Sequence, residues 1–219
     1  MEAGAKLRST SMFKSTYRLL ALVIVMGGAL LIGRQATTTQ AVDMRGYAQI
    51  NDSTGRPVGM ATFVENAAGD LTVTVEASGL APGKHGLHVH TTGSCIGPDF
   101  TSAGGHFNPL NKRHGLQTSE GAHGGDLPNL MVGADGRGRF SFTVASMKLS
   151  AGVLSLMDPD GSAIVIHAAE DDGMTDATGN SGARIACGVI MMGTAPNMAT
   201  PNAAPILRAP NTGDAGLSE

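Results

Sequence analysis

Leu71-Thr72-Val73-Thr74-Val75-Glu76 alternates without a break, with Leu71, Val73 and Val75 on one side and Thr72, Thr74 and Glu76 on the other. Successive side chains of a strand point to opposite faces, so this stretch reads as a strand with one face in a core and one in water. The same period extends outward in both directions. Residues 46–50 and 58–64 carry it before this stretch, and residues 84–90, 127–132, 139–145, 163–167 and 185–191 read as further short strands after it. Turn-forming sequence separates them: Asn51-Asp52-Ser53-Thr54-Gly55, Asn66-Ala67-Ala68-Gly69-Asp70, Ala81-Pro82-Gly83 and Asp135-Gly136. Eight short strands without helical periodicity predict an all-β fold, an antiparallel sandwich or barrel. The 31 glycines, the absence of Trp and the 4 % aromatic content agree with many turns and few large helices.

The strand at 84–90 ends in His88-Val89-His90. Residues i and i+2 of a strand share a face, so both imidazoles are aimed into one space. Imidazole is the commonest metal ligand and suits copper, zinc, iron and nickel. All seven histidines of the chain (His85, His88, His90, His106, His114, His123 and His167) lie between positions 85 and 167. One His-x-His pair is ordinary strand sequence, but seven histidines concentrated this way point to a metal site. Three of them fall in residues 91–125, about 35 residues without strand pattern inside an otherwise compact β-protein. A loop that long is usually functional or disordered, and this one is read as a metal loop. A second loop, 168–183, carries Asp171, Asp172 and Asp176.

The first 41 residues have the pattern of an export signal. Lys6, Arg8, Lys14 and Arg18 precede an apolar run of 15 residues, 19–33, closed by Arg34. That run is shorter than the roughly 20 residues that span a bilayer comfortably. Cleavage would release a periplasmic or extracellular protein, and an uncleaved run would tether it to a membrane through residues 19–33. Downstream of residue 41 there are 10 basic and 17 acidic residues, a net of −7, which argues against a nucleic-acid partner. Residues 42–192 form the predicted domain. The tail at 193–219, rich in Pro, Ala, Asn and Thr, is expected to be disordered.

Cys95 and Cys187 are the only cysteines. In an exported chain such a pair reads as one disulfide, with two free buried thiols as the alternative. The bond would tie the metal loop to the last strand.

These residues resemble a known family. Lys84-His-Gly-Leu-His-Val-His90 is similar to the first copper-ligand strand of the copper/zinc superoxide dismutases. Ser102-Ala-Gly-Gly-His-Phe-Asn-Pro109, His114-Gly115 and His123-Gly-Gly-Asp126 resemble that family's zinc loop. Gly179-Asn-Ser-Gly-Ala-Arg-Ile-Ala-Cys-Gly-Val189 resembles its closing signature. The likeness covers about residues 45–191 and leans toward the secreted bacterial branch. It implies an eight-stranded antiparallel Greek-key β-sandwich or barrel with a long metal-binding loop and a second active-site loop.

It also implies copper held by His88, His90, His106 and His167, and zinc held by His106, His114, His123 and Asp126, with His106 as the shared ligand. Asp171 matches the family's carboxylate that holds one ligand from each metal site; a solvated loop acid is the other reading, since Asp172 is adjacent. Arg184 matches the arginine that docks the anion, and His85 a non-ligand position. The implied reaction converts two superoxide anions and two protons to dioxygen and hydrogen peroxide by alternating Cu(II) and Cu(I). His106 takes part as a proton carrier in that scheme. The second loop has no Lys or Arg, so Lys112 and Arg113 are the nearest basic candidates by sequence for steering superoxide. The chief alternative is a non-catalytic secreted protein that binds copper or zinc for buffering or delivery. An adhesion module leaves the histidine spacing unexplained. Strand surfaces leave monomer and homodimer both open.

Overall fold

The computed structural model describes residues 43–196. The expected export segment and most of the expected tail, residues 197–219, lie outside them. Nine strands follow in chain order: β1 Met44–Asp52, β2 Pro57–Glu65, β3 Leu71–Ser78, β4 Gly83–His90, β5 Asp126–Val132, β6 Arg137–Val144, β7 Ala163–His167, β8 Arg184–Val189 and β9 Met191–Met192. All eight predicted strands are present. The last is interrupted at Ile190, which turns inward and buries its side chain, while its N–H donates to the carbonyl of Ser162. Two residues of β9 remain and pair with β1.

Strand order is β2-β3-β6-β5-β4-β7-β8-β1, and β1 pairs back onto β2. This closes an eight-stranded antiparallel barrel and leaves β9 as a short addition, so the eight main strands have no free edge to shield. The sequence alternation decides which face is inside. Leu71, Val73 and Val75 are fully buried, and so are Ile50, Phe63, Leu87, Leu130, Ile164 and Ile166 on neighbouring strands. Outward, Thr72 and Thr74 hydrogen-bond to Thr143 and Ser141 across the β3–β6 pair.

Two irregularities lie beside the histidines. The β4–β5 register shifts between His85 and Leu87. The β7–β8 register shifts between Ile166 and His167, which places His167 opposite Arg184. Such bulges bend a strand and re-aim its side chains. On β4, Leu87 and Val89 face the barrel core while His88 and His90 face the loops, and all four are buried.

Loop 91–125 folds back over β4. His90 and His106 form an isolated antiparallel bridge. Phe107 N–H donates to the Val89 carbonyl and Val89 N–H to the Gly125 carbonyl. Cys95 and Cys187 are joined as a disulfide, with Cα atoms 5.6 Å apart. At the start of the expected tail, Gly193 N–H donates to the carbonyl of Arg45.

Candidate metal centre

β4 supplies His88 and His90, the end of β7 supplies His167, and loop 91–125 supplies His106. One ring nitrogen from each lies within 4.8 Å of all the others. The opposite nitrogen of each ring is already engaged. His88 Nε2 donates to Asp171 Oδ2 at 2.5 Å, His90 Nδ1 to the Gly104 carbonyl at 2.9 Å and His167 Nδ1 to the Gly182 carbonyl at 3.1 Å. His106 Nδ1 lies 2.9 Å from Asp126 Oδ1. Those bonds leave His88 Nδ1 and the Nε2 atoms of His90, His106 and His167, and these four are buried without any hydrogen-bond partner. Four buried imidazole nitrogens that converge without protein partners are arranged to share a ligand, and four imidazoles suit Cu(II).

The second group adjoins the first through His106. His106, His114, His123 and Asp126 again offer ligand atoms within 4.8 Å of one another. His123 Nδ1 is 3.4 Å from His106 Nδ1 and 3.3 Å from Asp126 Oδ1. His114 Nδ1 is 3.0 Å from Asp126 Oδ2 but lacks hydrogen-bond alignment with it. Ligand bonds of about 2.0 Å in a tetrahedron put the donors about 3.3 Å apart. The spacings of Asp126 from the three imidazoles and of His123 from His106, 2.9 to 3.4 Å, lie near that figure, and three imidazoles with one carboxylate suit zinc.

Asp171 joins the two groups. Its Oδ2 accepts from His88, and its Oδ1 lies 3.1 Å from His114 Nε2. A buried carboxylate in this position fixes ring orientation on both sides, which excludes the reading of Asp171 as a solvated loop acid. Asn129 on β5, unmarked in the sequence, grips Asp171 by its backbone: the Asn129 amide accepts from Asp171 N–H at 2.8 Å and donates to its carbonyl at 2.9 Å. Gly179 has φ +61°, and a Cβ there would collide with the Asp171 carboxylate and His114. A glycine is needed both for that backbone conformation and for the close approach.

The four-imidazole group opens into a cavity of about 580 Å³ lined by His90, His106, His167 and Arg184, with Asn108, Thr178 and Asn180 among the residues at its rim. Arg184 is the one Lys or Arg among the described residues that line it. Its Nη1 donates to the Phe100 carbonyl at 2.8 Å and its Nη2 to the Gly104 carbonyl at 2.6 Å. Both carbonyls lie in loop 91–125, and the adjacent Cys95–Cys187 bond anchors that loop to the strand bearing Arg184. Lys112 and Arg113 do not line the cavity, and Arg113 pairs with Glu120 at 3.0 Å. His85 lies outside both groups, its ring nitrogens 2.7 and 2.8 Å from the carbonyls of His167 and Ala81.

Burial, above all, keeps three imidazoles neutral. It lowers His88 to about 4, His90 to about 2 and His167 to about 3, against the weaker opposing pull of Asp171 and the backbone carbonyls. His114 behaves oppositely: burial lowers it, but Asp126 and Asp171 outweigh burial and raise it to about 9. Burial alone would raise Asp126, yet His106 and His114 hold it well below the usual carboxylate range.

The three depressed histidines take up protons near 6.5 when unfolded but only near 2 to 4 when folded. Their contribution is complete above 6.5 and is lost as pH falls, the unfolded chain binding up to about three more protons near pH 5. His114 contributes below 6.5 and fades only as pH rises through 9. Denaturant midpoints of metal-free protein should therefore fall clearly from pH 7 to pH 5. A midpoint that rose on acidification would contradict the burial argument.

The chain matches the copper/zinc superoxide dismutase family over residues 58–190. It is 44 % identical over 147 residues to superoxide dismutase-like protein YojM of Bacillus subtilis, covering 66 % of this chain and 75 % of that one. It is 38 % identical over 168 residues to superoxide dismutase (Cu-Zn) 2 of Aquifex aeolicus, covering 76 % and 96 %. Among solved structures, the SOD-like protein from Bacillus subtilis superimposes with a TM-score of 0.64 at 44 % identity, covering 66 % of this chain and 97 % of that one. Family match, relatives and barrel agree: this chain belongs to the copper/zinc superoxide dismutase family.

Proposed function

We infer that the protein is an exported superoxide dismutase that converts two superoxide anions and two protons to dioxygen and hydrogen peroxide. The observation that carries this reading is the pair of ligand groups sharing His106, with four partnerless imidazole nitrogens on the cavity side. His88, His90, His106 and His167 would hold copper, and His106, His114, His123 and Asp126 would hold zinc. When bound, copper supplies the one-electron redox couple and zinc a fixed positive charge.

The chain's own residues do the rest. Arg184, fixed by two carbonyls, presents a cationic guanidinium to a small anion entering the cavity. His106 lines that cavity, and its buried Nε2 has no protein partner. That nitrogen can hold a proton and pass it to a substrate oxygen. Asp171 and the Gly104 and Gly182 carbonyls keep the other rings from rotating as charge changes. The disulfide suits a periplasmic or extracellular location, as does the apolar run at 19–33, which would act as a tether where it is not removed.

A second reading, metal buffering or delivery without catalysis, draws on the dismutase-like name of the Bacillus subtilis relative. The complete set of imidazoles and Arg184 favours catalysis. Arg184→Ile tests the point. Superoxide decay by the copper- and zinc-loaded variant should slow by about tenfold or more and lose most of its salt dependence. An unchanged rate with the same salt dependence would remove Arg184 from the mechanism.

A further inference from the structure

Asp176 belongs to no ligand motif, yet it reaches the zinc-type group from loop 168–183. Its Oδ1 accepts the backbone N–H of His114 at 2.9 Å and lies 3.9 Å from His123 Nε2. Its Oδ2 lies 3.9 Å from Arg113 Nε. His123 turns Nδ1 inward, toward His106 and Asp126, so Nε2 is its outward nitrogen. A carboxylate behind the outward nitrogen of a ligating imidazole fixes its tautomer and raises its basicity. Asp171 already stands in that relation to His114, at 3.1 Å from its Nε2. A separation of 3.9 Å is closed by a small side-chain rotation or bridged by one water. Loop 168–183 therefore places one carboxylate behind each of two imidazoles of the group, and Asp176 also pins the main chain of one of them.

We propose that Asp176 is a positioning residue for zinc, holding the His114 backbone and backing the His123 ring, so that the second loop clamps the metal loop around the ion. This rests on the zinc assignment made above. The competing role is a surface ion pair: Asp176 is partly exposed and Arg113 is close, although Arg113 has a nearer partner in Glu120.

The test is a zinc titration of the metal-free full chain, repeated with Co(II) as a coloured probe of the same position. Asp176→Asn keeps an oxygen for the His114 N–H but loses the charge; zinc affinity should fall about tenfold, and by roughly 10- to 100-fold in Asp176→Ala. The Co(II) absorption of Asp176→Asn should differ from wild type, because His123 becomes a weaker donor. Copper affinity should stay within twofold in both variants, and Arg113→Gln should leave zinc affinity within twofold. Two results would overturn the proposal: wild-type zinc affinity and Co(II) spectra in both Asp176 variants, or an equal loss in Arg113→Gln, which would assign the effect to the surface pair. A wild-type protein that took up no zinc would overturn the zinc assignment itself and this inference with it.

Discussion

His106→Ala should weaken both metals at once, whereas His123→Ala should weaken zinc alone and His90→Ala copper alone. The reason is geometric. His106 is the one residue common to the two ligand groups, with Nε2 turned to His88, His90 and His167 and Nδ1 turned to Asp126 and His123. Removing a residue that merely supports a ligand costs roughly 10- to 100-fold in metal affinity, so losing a direct donor should cost more than about 100-fold on the zinc side. Superoxide consumption should fall by at least that factor, because the same nitrogen is the proposed proton carrier. Metal content by mass spectrometry, together with stopped-flow decay, checks all three variants. A His106→Ala protein that lost only one metal would show that the groups are separate sites.

The second large effect is on stability. The Cys95–Cys187 bond spans 92 residues. The chain-entropy account values the closure of such a loop at about 4 to 5 kcal/mol. Cys187 is buried beside Phe100, Ala103, Ala163 and Val165, so the bond also nails loop 91–125 to this small apolar cluster. The Phe100 and Gly104 carbonyls that grip Arg184 belong to the same loop. Cys95→Ser with Cys187→Ser should lower the unfolding free energy of metal-free protein by about that amount, and superoxide turnover should fall as Arg184 loosens. Denaturant unfolding measures the first effect; a loss under about 1 kcal/mol would mean that the packing around the loop, rather than the covalent bond, holds it.

Much of the fold and of the candidate site is legible in the sequence. Strands such as β3 announce themselves because one face is buried and the other is wet, whereas β7, buried on both faces, is legible only as a short apolar run. The break that divides the last predicted strand into β8 and β9 is not legible, because it depends on Ile190 finding a core position that is created only by the closed barrel. The members of the two candidate groups are legible because metal chemistry restricts them to residues such as histidine and aspartate and because His88 and His90 share a strand face. What supports them is not. Asn129 is an unremarkable strand residue until Asp171 is seen against it. Asp176 is one of four acids in its loop, and nothing local separates it from Asp172, which instead caps its own turn through Met174 and Thr175. The same limit applied to charge. Lys112 and Arg113 were the nearest basic residues by sequence, but loop 91–125 carries them away from the cavity and leaves Arg184 facing it.

The most direct test of dismutase activity is stopped-flow decay of superoxide by the protein carrying both copper and zinc, at two salt concentrations. Decay should be fast and should slow as salt is added, because one fixed cation draws an anion into a site on an otherwise acidic domain. No decay from protein with both metals bound would contradict the proposed activity and would leave a metal-binding member of the family without the reaction.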